Sequence, residues 1–286
     1  MKLNAHMNTV RIRNYIADEA LVKLPSQYKS AKGRQAFAQI LSNSLQEKVL
    51  NVPEDKLTIP TLKKLILEVL KPVLATKDEP VLKISSTPDN ILYQGILKPI
   101  EKILDFNGQK FNTVLGYKME IPTEDGIIKN PKVFIHEARH LFDRMCNPKY
   151  SVNRFASLDD NSEENIAFSN FIPFLANVTT FSEFNPFMDL KFMMYELVTK
   201  LALKCLNREE KMAALQRTRY KLQTEINAYN DMEKFEQSVS GKKKFALDNN
   251  SDVEYLKLEE KLEFINDLLA KTIEKERQKQ AMSAWF

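Results

Sequence analysis

Two of the three histidines in this 286-residue chain lie four residues apart in "KVFIHEARHLFDRMCNP" (132–148), with a glutamate directly after the first. His136 and His140, at i and i+4, share one face of a helix, so both imidazoles can reach a single metal ion. Glu137 is turned about 100° round the helix from His136. That sets it beside the ion, where a carboxylate can take a proton from an attacking water. Zn2+ suits such a set, because it acidifies water to near neutrality and polarises a carbonyl as a Lewis acid. Chance alone gives HExxH roughly a few times per thousand chains of this length. Against chance stand the helical setting, the strands and loop before it, and the near absence of other histidines: only His6 remains.

The elements that must position this segment can be read from periodicity. Val133, Phe134, Ala138, Leu141, Phe142 and Met145 give the motif helix an apolar surface, and Pro148 follows where it should stop. Before it, residues 1–80 read as mostly helical. Phe37, Ile40, Leu41, Leu45 and Leu50 mark one helix over 30–50, and Leu62, Leu65, Ile66, Val69 and Leu70 another over 58–74. "VLKISS" (81–86), "KILDF" (102–106) and "FNTVLGYKMEI" (111–121) read as strands, with Asn107-Gly108 as a hairpin turn between the last two. "PTEDGIIKNP" (122–131) reads as loop. The segments 188–206, 208–237 and 252–280 are helical again, and the last two are long, charged and amphipathic. They predict a helical hairpin with a solvated face, and its alternative role is contact with a partner. The expected fold is α+β and mostly helical. A small sheet and the motif helix form a core at 81–185, between N-terminal helices (1–80) and a C-terminal helical region (186–286).

Composition narrows the function class. The 42 basic and 38 acidic residues nearly balance, which gives no footprint for nucleic acid. Cys146 and Cys205 are too few for a disulfide framework and suggest a compartment that tolerates thiols. The N-terminal twenty residues lack the apolar core of a Sec signal, and no stretch reaches the roughly 18 apolar residues of a membrane span. The expected location is cytoplasmic, or outside the cell by a route without a cleavable signal.

His136-Glu137-Ala138-Arg139-His140 resembles the motif of the zincin metallopeptidases, over about 80–100 residues around it. The resemblance implies a catalytic zinc with three protein ligands and one open position. With no histidine left except His6, the third ligand should be a carboxylate. In the metzincin continuation of the motif, Asp143 occupies the glycine position and Cys146 that of the last ligand. Asp143 lets the helix run on and carries Cys146 away, so Cys146 reads as a small buried hydrophobe. The gluzincin pattern puts a glutamate on a second helix, with a small residue three positions later. "NSEENIAFSNF" (161–171) offers Glu164 with Ala167, and Ser162 as a cap. Its neighbour Glu163 is the alternative, and either could instead be an ordinary acidic residue at a helix N-terminus. "TEINAYN" (224–230) offers Glu225 with Ala228 and Tyr229, set against a plain surface glutamate on a charged helix. Glu196, four residues before Lys200, reads as a surface ion pair.

The pairing of "NPKVFIHEARHLFD" with "EENIAF" also resembles metallopeptidases that bacteria inject into host cells by type III secretion. Here Arg139 stands where that group has an apolar residue, and Ile135 where it has a small one. The resemblance implies a zinc endopeptidase acting on a protein or peptide substrate. His136, His140 and Glu164 would hold the metal, and Glu137 would serve as base and then as proton donor. Tyr150 or Tyr229 would stabilise the oxyanion. Asp143 either orients an imidazole or is a surface carboxylate. An extended substrate would lie along an edge strand at 113–119. The rival reading is a helical interaction module, working through its C-terminal hairpin and carrying a structural or vestigial zinc.

Overall fold

Ser30 opens the first helix, α1 (Ala31–Leu50), by accepting a hydrogen bond from the Gly33 amide at 3.0 Å. The stripe that α1 buries runs through Phe37, Ala38, Leu41, Ser42, Leu45, Gln46 and Val49. Ile40 and Leu50, expected on it, fall on the opposite side and are exposed, because at 100° per residue they lie far from its centre. Thr58 caps α2 (Ile59–Leu70), which buries Leu62, Leu65, Ile66, Val69 and Leu70, the five residues its periodicity picked out. In this computed structural model the described residues are 21–74, 81–86, 95–106, 109–128, 130–147, 196–197, 199–201, 203–204, 206, 208–240 and 249–283.

The three strands are β1 (Val81–Ser86), β2 (Ile96–Phe106) and β3 (Gln109–Ile121), in the order β1-β3-β2. β2 and β3 pair antiparallel out to Phe106 opposite Gln109, and the Asn107-Gly108 turn expected between them lies outside the described residues. β1 joins the other side of β3 in parallel, over Val81–Ser86 against Gly116–Ile121. This overturns the expectation of an edge for residues 116–119 of the span 113–119, whereas 113–115 has only β2 beside it among the described strands. From Gly116 onward β3 is paired on both sides, and the edges belong to β1 and β2. The glycine has a different meaning here. Ile100 faces Gly116 but Glu101 faces Val114, so Leu115 is the extra residue of a bulge. Leu115 is accordingly exposed, while Val114, Tyr117, Met119 and Ile121 turn into the core.

The motif helix, α3 (Pro131–Cys146), is buried on nearly every side: eleven of its residues are covered, from Phe134 to Cys146. It packs on α1 and on β2 and β3. Its last carbonyls find partners that a helix end otherwise lacks. The Met145 oxygen accepts from the Leu21 amide at 2.9 Å, and the Cys146 oxygen from Arg34 at 2.9 Å. Arg144 donates to the Leu97 carbonyl of β2 at 2.8 Å. Burial pushes the Cys146 thiol up to about 12, so it stays protonated and inert, in keeping with its reading as a hydrophobe.

Two long helices complete the described chain, α4 (Arg208–Ser240) and α5 (Asn249–Ser283). The chain divides into two compact units, Met1–Val152 with Asn227–Asn249, and Asn153–Ile226 with Asn250–Phe286. In the first, Phe235 of α4 joins the core built by α1, α2, α3 and the sheet. In the second, Leu203, Leu215 and Leu222 cluster with Ile265 and Leu269 of α5. Lys200 and Glu196 form the expected surface pair at 2.7 Å. Among the described residues the fold is mostly helical α+β with one small sheet. No described helix is long and apolar enough to cross a membrane.

Candidate metal centre

The i, i+4 spacing on α3 does what the helix geometry requires. His136 and His140 bring their Nε2 atoms to 3.2 Å, with the rings edge-on at 4.8 Å between centroids. Two donors held about 2.05 Å from one ion at the tetrahedral angle stand about 3.3 Å apart. The separation therefore suits two ligands of one zinc, and it equally suits a hydrogen bond between two neutral imidazoles. A candidate third donor lies on α4. A Glu225 carboxylate oxygen and the two imidazole nitrogens all lie within 4.8 Å of one another. Two imidazoles and one carboxylate could together hold a metal ion, and catalytic zinc is among the ions that such a donor set suits.

Glu225 is partly buried and is the carboxylate that lies with the two histidines. Tyr229, one turn further along α4, sets its ring edge-on to His136 at 5.0 Å. Between them Ala228 is fully buried, the small residue that lets a helix approach closely. Glu163, Glu164 and Tyr150 lie outside the described residues, as does His6.

Glu137 is 6 % exposed, next to the histidine face but not on it. Against it lies a residue that carries no sequence motif. Gly95, just before β2, is so close that a Cβ built on it would stand 2.4 Å from the Glu137 Cγ and 3.0 Å from Cδ and Oε1. Only a glycine leaves the carboxylate where it is. If the site holds zinc and hydrolyses peptides with Glu137 as the base, Gly95→Ala is expected to keep bound zinc at the wild-type level, since no metal donor is touched, while hydrolysis falls about 10–100-fold as the carboxylate is displaced. Unchanged hydrolysis in Gly95→Ala would show that the position of Glu137 does not matter.

Asp143 is not the surface carboxylate of the alternative reading. It is fully buried and accepts from Arg139 Nε at 2.9 Å and Nη2 at 3.5 Å. Burial pushes its carboxyl up, and Arg139 opposes that shift. Burial would lower the Arg139 guanidinium, but Asp143 and Asp231 outweigh it and hold the group above its ordinary value. Asp231, on α4, is fully buried and accepts from Arg139 Nη1 at 3.1 Å. Gln39 of α1 completes the cluster, accepting a short hydrogen bond from Arg139 and donating to Asp231 at 2.5 Å. One sign of this network is legible in the chain: Arg139 and Asp143, of opposite charge, lie one turn apart on a helix rich in apolar residues.

Comparison with family models, with curated proteins and with solved structures finds no match.

Proposed function

We propose that this chain is a zinc-dependent metallopeptidase, with His136, His140 and Glu225 as the metal ligands. The observation that carries the reading is the convergence of two imidazole nitrogens 3.2 Å apart with a carboxylate oxygen within 4.8 Å, beside a buried glutamate. When bound, zinc supplies a Lewis acid that makes water ionisable near neutrality and polarises the scissile carbonyl. The chain's own groups do the rest. The Glu137 carboxylate, held in place against Gly95, takes the proton from the attacking water and gives it to the leaving amine. The Tyr229 phenol, beside His136, is suited to donate to the carbonyl oxygen as charge develops there.

Chelation tests this reading. Protein dialysed against a strong chelator should lose its zinc and its cleavage of a diverse peptide pool together. One equivalent of zinc should restore both. A chain that takes up zinc but cleaves nothing in the pool would favour a helical interaction module with a structural zinc. A chain that takes up no zinc would sink both readings.

A further inference from the structure

The buried Arg139 cluster joins Asp143, Asp231 and Gln39 outside the candidate metal donors, and chemistry at the site does not need it. Its placement suggests what it does. Two ion pairs join α3 to the C-terminal part of α4: Lys132 to Glu236 at 2.8 Å, and Arg139 to Asp231 at 3.1 Å. Moving seven residues forward on α3 moves five residues back on α4, so the two segments run antiparallel. The outer pair is partly exposed, and such pairs hold little. The inner pair is buried, shares Asp143, and is tied to α1 through Gln39. Arg139 precedes His140 in the chain, and Asp231 follows Tyr229 by two residues and Glu225 by six. A one-residue slip of α4 would turn Glu225 by about 100° and shift it by about 1.5 Å, enough to take its carboxylate from the histidines.

We infer that Arg139 and Asp231, with Gln39 and Asp143, are positioning residues that set the register of α4 against α3 and so deliver Glu225 to the metal. The inference rests on the metal reading above. Arg139 reaches the ion only through this register. A lysine would keep the charge but lose the fork that bonds Asp143, Asp231 and Gln39 at once.

The test measures zinc itself. Its dissociation constant, by competition with a chromogenic chelator, is compared with the melting temperature of the zinc-stripped chain. In Arg139→Lys, Asp231→Asn and the milder Gln39→Ala, zinc should bind about 10–100-fold more weakly than in wild type. Leu62→Ala, in the core of α2, should lower the melting temperature as much yet leave the zinc constant within about twofold, since it touches no part of the register. With cobalt as the probe, the visible spectrum of Asp231→Asn should shift from that of wild type part of the way toward that of Glu225→Ala, because the carboxylate is less firmly placed but still present. Cluster variants that lose stability but bind zinc within about twofold of wild type would overturn the inference and leave the metal reading standing. Wild type that binds no zinc would overturn both. Should Arg139→Lys fail to fold, Gln39→Ala decides the matter.

Discussion

Glu137→Gln is expected to hold close to one zinc per chain and to lose peptidase activity by on the order of 10²–10⁴-fold or more. The substitution keeps the size of a side chain that is buried and pressed against Gly95, so packing should hold. It removes the one feature that matters, a group that can accept a proton. The measurement is a pair: metal content by atomic absorption and kcat/KM on one peptide substrate. Activity within a few-fold of wild type would take Glu137 out of the chemistry, whatever the metal does.

Glu225→Ala should weaken zinc binding on the order of 10³-fold or more, because it removes a ligand and not a supporting contact. Alanine is the best helix former, so α4 should persist and the melting temperature of the zinc-free protein should change little. Glu164→Ala should bind zinc like wild type. This reverses the order expected from the E-x-x-A pattern near the motif, on the strength of where the Glu225 oxygen lies. If a metal titration shows Glu164→Ala losing zinc and Glu225→Ala keeping it, the third ligand returns to the segment 161–171.

What was legible in the chain followed from short-range rules. The α2 stripe, the limits of β1, the antiparallel pairing of β2 with β3 and the meeting of His136 with His140 each depend on a period or a turn signal within a few residues. What escaped depends on distant parts of the chain. Glu225 is one of three candidate carboxylates in the chain, on a helix whose charged composition is that of a solvated surface, and short-range rules could not rank it above Glu163 and Glu164. Asp231 and Gln39 look like ordinary surface polar residues until Arg139 is buried between them. The edge expectation for β3 failed for the same kind of reason. Strand order depends on where β1 returns, and one loose alternation with a glycine fits a bulged central strand as well as an edge.

The contact between Gly95 and Glu137 gives the motif a sixth member. HExxH by itself is short enough to arise by accident. A chain that merely happens to spell it has no reason to keep the backbone bare at a point far upstream. The two positions should therefore be inherited as a pair. In any descendant of this sequence that gains a side chain at 95, the glutamate at 137 should be the next residue to change, and the loss of one would date the loss of the other. Read across a lineage, that coupling would separate working copies of this site from relics that still carry the two histidines.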